Sequence, residues 1–309
     1  MAENNTQIPL QEEVLEDNQA VSKPPMGWEV VVREFAKDKI ALISLVILLI
    51  IILMAVIGPF FIDESQASLV SIFDRYKQPG TDGFILGTDD AGRDVLHQLI
   101  LGTRNSLTIA WAVTILTAAF GTLIGLIAGY YGNHVDNLIM RIVDFLIVLP
   151  TTMIIIVVVT IVKRFDPWTL IWIISCFGWM GQTRLVRTAS LSEASKDYIQ
   201  ASKTMGTRDW KIMLTSLLPN LSSLMITNLT LSFAGNIGLE TGLSFLGFGL
   251  PVGTPSLGTL IGYARTPDII QNKTWVWLPA TLLVLVMMLA INYIGQAFQR
   301  IANSKQRRG

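Results

Sequence analysis

Glu240 is the most costly placement in this chain. It lies in AGNIGLETGLSFLGFG, after Asn228, Asn236 and the Gly235–Gly238 pair, in a run otherwise made of apolar and small residues. A carboxylate inside a bilayer is expensive and normally faces a cavity or a polar partner. Glycines on both sides predict a broken or bent helix there. Asn236 and Glu240 therefore fit a pathway or gate, and Glu240 fits equally well as a cap on the broken helix. A proton relay is the weaker reading, because no series of titratable residues continues across the run. Other chemistry is sparse. His97 and His134 stand far apart without ligand spacing, and Cys176 is the single cysteine, so neither a metal centre nor an intrachain disulfide is expected. No G-x-x-x-x-G-K-[ST] phosphate loop occurs, Gly242–Gly249 lacks the lysine, and no spaced Ser/His/Asp set stands out. The chain is not expected to be an enzyme.

The second informative group is the polar, basic stretch SLSEASKDYIQASKTMGTRDWKIMLTSLLPN, Ser190 to Asn220. It is helix-compatible from Tyr198 to Met213 and interrupted at Gly206, which predicts two short helices joined by a bend at the membrane face. Gln200 precedes the small pair Ala201 and Ser202, where a partner backbone can come close. Tyr198, Ile199, Met205 and Trp210 offer apolar anchors, and Lys203, Arg208 and Lys211 offer charge. Pro219 suits the first turn of the following span, where its missing N–H is harmless. On composition alone, an ordinary amphipathic loop explains this stretch as well as a docking surface does.

The elements that must position these residues are apolar runs. The chain has 309 residues, 51% hydrophobic and 15% charged, against about 25% charged in soluble domains. Runs at Ile40–Ile57, Leu107–Tyr131, Leu138–Val162, Trp168–Thr183, Leu217–Leu239 and Trp275–Phe298 predict six membrane spans, each of roughly 20 residues. The Trp168 run is the weakest and reaches span length only with polar residues toward Arg187. The first run starts about 40 residues in, behind an acidic tail, and reads as a permanent span rather than a cleaved leader. Placing both termini in the cytoplasm puts fifteen Lys and Arg inside against eight outside, in accord with the positive-inside rule. Zero net charge argues against a nucleic-acid partner.

Within the spans, Gly121, Gly125 and Gly129 recur four residues apart. Such a stripe lets two backbones approach closely. Static packing inside the subunit is the favoured reading, a sliding interface with another span the alternative. Arg141 and Asp144, one turn apart, predict a local ion pair at the inner interface. Residues 1–27 read as a disordered tail, and 28–62 as an interfacial amphipathic helix (Trp28, Val31, Val32, Phe35) plus the first span. Residues 63–103 form a long outer segment, rich in turn formers. The other five spans occupy 104–298, with the loop at 190–220, and 299–309 form a cytoplasmic tail.

Spacing gives the loop a relative. Gln200-Ala201-Ser202, three residues, Gly206, nine residues, Ser216, one residue, Leu218-Pro219 resembles the EAA loop of ABC importer permeases. Ala201, Gly206, Leu218 and Pro219 match that pattern, whereas Gln200, Ser202 and Ser216 depart from it. Leu86-Gly87-Thr88-Asp89, Gly92-Arg93-Asp94-Val95, Gly102-Thr103-Arg104-Asn105-Ser106-Leu107, Met140-Arg141 with Asp144 and Pro150, Leu243 to Gly249, and Asn292 with Gly295 are similar to the C-type permeases of dipeptide, oligopeptide and nickel importers. The resemblance runs from about Trp28 to the C-terminus. It implies an all-α integral membrane protein with the six-helix type I ABC importer permease fold, in the bacterial cell membrane. It also implies a second homologous permease subunit, two cytoplasmic ATP-binding subunits that use ATP and Mg, and an extracytoplasmic peptide-binding protein, with no cofactor on this chain. The loop at Tyr198–Met213 would be the coupling helix that docks in the ATPase. Alternatives are a nickel or other small-solute importer of the same fold, or an ATPase-independent carrier.

Overall fold

The computed structural model describes residues 35–63, 69–162, 166–251 and 253–306. Among these the backbone is helical apart from loops and the isolated bridges Thr81–Phe84 and Thr88–Asp94. In chain order the helices are α1 (Lys39–Ile57), α2 (Val95–Tyr131), α3 (Asn133–Val148), α4 (Thr151–Ile161), α5 (Pro167–Ala194), α6 (Asp197–Thr204), α7 (Asp209–Ile212), α8 (Leu218–Asn220), α9 (Ser222–Leu246), α10 (Leu257–Gly262), α11 (Pro267–Asn272) and α12 (Thr274–Gln306). The tail expected at 1–27 and most of the expected interfacial helix lie outside the described residues.

Six straight spans are not what the helices form. Three stretches, Lys39–Phe61, Val95–Tyr131 and Thr274–Ile301, are long and apolar enough to cross a bilayer, and five if each of two bent pairs counts as one span. The pair α3 and α4 bends by 77°. There Leu149 is extended ahead of Pro150, because the proline ring excludes α-helical geometry for the residue before it. The second pair bends by 69° between Asn220 and Ser222. Helix α5, 28 residues or about 42 Å, has the length but not the composition: Gln182, Arg184 and Arg187 interrupt it.

Contacts sort the loops onto two faces. On one face, Arg300 near the end of α12 pairs with Asp38, the N-cap of α1, and the Phe35 and Phe298 rings stand 5.5 Å apart. The loop at 194–221 meets the end of α2 through Tyr130 on this same face. On the opposite face, Trp275 at the start of α12 donates to Thr88 O (3.3 Å), and Asn105 near the start of α2 donates to Pro255 O (2.9 Å).

Helix α1 leaves Ile43, Val46, Ile50, Leu53 and Val56 at least half exposed. A helix apolar all round with so much bare surface is stable only in an apolar solvent. The interior seam lies between α2 and α5, where Gly121, Gly125 and Gly129 face α5. A Cβ on Gly121 would stand 2.6 Å from Gln182 Cβ, one on Gly125 2.8 Å from Thr183 O, and one on Gly129 2.5 Å from Ser190 Cβ. The stripe thus packs within the subunit, and backbone sets the limit, so rotamer changes cannot make room.

Gly125→Leu should separate α2 from α5 and cost roughly 1–3 kcal/mol, read as a lowered melting temperature of the detergent-solubilised subunit. Gly181→Ala on α5, where an added Cβ meets nothing within 4 Å, should leave the melting temperature unchanged or raised. Equal melting of both variants and the parent would refute the seam's role.

Candidate functional site

The loop between α5 and α9 is braced from within. Helix α6 ends in a glycine-terminated cap: Gly206 N–H donates to Lys203 O (3.0 Å) and Thr207 N–H to Ser202 O (3.1 Å). This double closure needs a left-handed residue at Gly206, whose φ is +79°. Ile199, Ile212, Leu217 and Leu221 bury against Leu126, Tyr130 and Val186. Ile199, expected as an anchor for a partner, is thus consumed by the subunit's own core, because α6 must bury one apolar face to stay on α5 and α2. Tyr130 donates to Asp209 Oδ1 at 2.7 Å while Lys203 Nζ sits 5.4 Å above its ring. Tyr198 donates to Glu193 Oε1 (2.6 Å) and accepts from Asn220 Nδ2 (2.7 Å), and Gln200 Nε2 donates to Ala194 O (2.8 Å).

What remains outward is Met205 (78% exposed) and Trp210 (56%), with Ala201, Arg208 and Lys211 also exposed and Ser202 half-buried. Pro219 does not open the next span as expected. It falls inside the helical run Asp209–Asn220, and a π-helical turn at Met213–Leu217 precedes it. A proline inside a helix removes one donor and crowds the carbonyl four residues back; a widened turn is one way to absorb both.

Two carboxylates of α3 meet arginines of α5. Asp136 accepts from Arg187 through both oxygens, Nε at 2.7 Å, and Asp144 pairs with Arg184. The expected Arg141–Asp144 pair is therefore replaced by a tertiary one: the side chain of Asp144 points to α5, not along its own helix.

Between α2, α5 and α9 lies a cleft of ≈ 410 Å³, lined by Thr114, Thr117, Gln182, Asn228, Ser232 and Asn236 among others. Asn236 Nδ2 donates to Thr114 Oγ1 (2.8 Å), Asn228 donates to Gln182 Oε1, and Gln182 Nε2 donates to Thr122 Oγ1 (3.2 Å). Gln182, Thr114 and Thr117 were not among the residues marked from sequence. The legible signal was Asn228, Ser232 and Asn236, four apart and so on one face of α9.

Glu240 is not in that cleft. Helix α9 runs unbroken through Gly235 and Gly238, contrary to the expected break, since helix packing in that stretch keeps the i to i+4 ladder closed. The carboxyl is fully buried beneath α10, among the hydroxyls of Ser106, Thr241, Ser244 and Ser256. Ser244 Oγ donates to Oε1 at 2.7 Å, while Oε2 is buried without a donor in hydrogen-bond geometry. Ser256 also caps α10 through a reciprocal bond with Thr259, and Leu257 N–H donates to Ser106 Oγ (3.2 Å). Glu240 thus underlies the seat of α10 on α2 and α9.

The segment before α2 is knotted by residues of the glycine-aspartate motifs. Fully buried Asp89 accepts from the Ala91 and Arg93 N–H groups (2.9 Å each) and from Arg93 Nε (2.8 Å). Arg93 Nη2 contacts Tyr263 Oη at 2.7 Å. Burial, then the charge of Asp89, pushes the Tyr263 hydroxyl well above the usual phenol range, so it stays protonated. Asp94 caps α2 by accepting from Leu96 N–H at 2.8 Å.

Removing the Glu240 carboxyl leaves a void and strips Ser244 of its acceptor. Glu240→Ala should lower unfolding stability by about 1–3 kcal/mol, and Glu240→Gln, which keeps volume and an acceptor, by less. Thermal melts of the purified subunit read both; a Gln variant as damaged as the Ala variant would contradict this packing role.

Comparison with known proteins gives the chain a family. Residues 121–308 match the family model described as binding-protein-dependent transport system inner membrane component. Residues 28–79 match the N-terminal TM domain of oligopeptide transport permease C. The oligopeptide transport system permease protein OppC of Lactococcus lactis subsp. cremoris (strain SK11) is 51% identical over 274 residues, 89% of this chain and 93% of that protein. The dipeptide transport system permease protein DppC of Bacillus subtilis (strain 168) is 31% identical over 313 residues, 99% of this chain and 96% of that one. DppC of Haemophilus influenzae is 31% identical over 277 residues, 88% and 92%. The chain therefore belongs to the family of inner membrane components of binding-protein-dependent transport systems.

Proposed function

We propose that this chain is a membrane-spanning subunit of an ATP-driven oligopeptide importer. It forms half of the translocation pathway with a second homologous permease subunit. Two cytoplasmic ATP-binding subunits carry ATP and Mg, and an extracytoplasmic peptide-binding protein delivers cargo to the outer face. The cargo class rests on the relatives named for oligopeptide and dipeptide transport.

The observation that carries the coupling role is the braced inner loop. Its interior is filled by Ile199, Ile212 and Leu217, yet Met205 and Trp210 are left bare on the outside. Large apolar side chains held in fixed positions on a polar surface are the usual anchors of a protein partner. Tyr198, Gln200, Ala201, Ser202, Gly206 and Arg208 shape or flank that surface, and Pro219 sets the exit from it. Six crossings are supported by parity. Asp38 and Arg300 meet, so α1 leaves and α12 returns to one face; the even count this needs is met when α5 crosses along with α2, the α3–α4 pair and α9. With the loop inside, both termini lie in the cytoplasm of the cell.

Met205→Ala with Trp210→Ala should reduce co-purification of the ATP-binding subunits and peptide uptake by at least about tenfold, while the subunit's own melting temperature stays put. Gly206→Val should reduce both as well, with a lowered melting temperature, because a β-branched residue is a steric outlier at φ +79°. Uptake of labelled peptides and of nickel by cells carrying each variant tests this. Normal peptide uptake by both variants, or uptake of nickel alone by the parent, would sink the reading.

A further inference from the structure

Among the described residues, the lining of the α2–α5–α9 cleft contains no Asp, Glu, Lys or Arg. The contrast with the outer face is sharp, where a ≈ 880 Å³ pocket includes Asp90, Arg93 and Arg265 in its wall. The cleft's polar groups are carboxamides and hydroxyls, and the carboxamides keep bonding capacity in reserve. Among the described residues, no hydrogen bond uses Asn228 Oδ1 or Asn236 Oδ1. Each amide NH2 has two protons and each amide oxygen two lone pairs. Asn228 commits both protons, to Gln182 Oε1 and Ser232 Oγ, and keeps its oxygen to accept, whereas Asn236 can still both donate and accept.

Two glycines in the same wall are unexplained by the fold. Gly178 lies close against Thr117, but a Cβ on Gly181 or Gly235 would meet nothing within 4 Å. A glycine inside a helix is destabilising relative to alanine, and at these positions no contact among the described residues offsets it. The room they leave is therefore available to something that the chain does not itself supply.

Building on the importer reading above, we propose that this cleft is a wall over which the main chain of the peptide passes. Gln182, Asn228 and Asn236 pair with peptide N–H and C=O groups, and Gly181 and Gly235 provide clearance. Every residue of a peptide carries the same main-chain donor and acceptor, apart from proline, so such a wall is indifferent to side-chain charge. A fixed charge here would behave differently: in a poorly screened site it strongly attracts or repels a charged side chain, holding some cargo and refusing other.

The test uses the full complex reconstituted in proteoliposomes, with acidic, neutral and basic peptides of one length. Asn236→Asp should lower uptake of the acidic peptide relative to the basic one by about tenfold compared with the parent's ratio. Asn236→Leu should lower uptake of all three alike, and Gly235→Leu should do so with the second permease subunit still co-purifying. An unchanged acidic-to-basic ratio in Asn236→Asp overturns the proposal. Loss of the second permease subunit in Gly235→Leu also overturns it, assigning the clearance to a partner helix. A parent complex that imports none of the peptides refutes the importer reading itself, and this proposal with it.

Discussion

The close approach of α2 and α5 is the constraint on which the remaining arrangement depends. Between helices in lipid there is no hydrophobic driving force, so association rests on intimate van der Waals contact and hydrogen bonds. Gly121, Gly125 and Gly129 supply that intimacy along three turns of the seam. The same two helices then carry nearly everything else of interest. Thr114 and Gln182 form two sides of the cleft, Arg187 and Arg184 receive the carboxylates of α3, and α5 runs on to support α6. Loosening the seam would displace the cleft and the loop together.

Polar groups are partitioned by depth and by charge type. Ionic pairs sit toward the ends of the helices: Asp136 with Arg187, Asp38 with Arg300, Asp89 with Arg93. The middle of the bundle holds neutral amides and hydroxyls joined in pairs. That division follows from the cost of ions away from water. Glu240 is the exception, and it is enclosed by hydroxyls and removed from the cleft altogether.

The sequence was most legible where a local rule decides structure. Gly206 could be placed at a bend because no other residue tolerates the left-handed cap cheaply, and the glycine stripe announced a close helix contact by its period. The all-helical character followed from the apolar runs. What sequence reasoning missed depended on long-range neighbours. Periodicity placed Arg141 and Asp144 one turn apart but could not say that α5 offers Asp144 a better-placed arginine. Local glycine content suggested a break at Gly235–Gly238, whereas tertiary packing keeps α9 straight and shifts the bend to Leu221. The straight third span failed at Pro150, a residue visible in the sequence whose effect in a bundle turns on whether neighbours enforce or relieve the kink.

Helix α2 spans 37 residues, about 55 Å from end to end. Tyr130 at one end is bonded to Asp209 of the loop, and Gln98 at the other borders the pocket that holds Asp90, Arg93 and Arg265. The helix is therefore a single stiff beam between the two faces, with its fulcrum at the α5 seam. A tilt of about 5° about that seam, which lies about 45 Å from the far end, would sweep that end through roughly 4 Å. Geometry of that kind needs no relay of small rearrangements through the bundle: a modest rotation at one face arrives at the other as a displacement large enough to open or shut a passage.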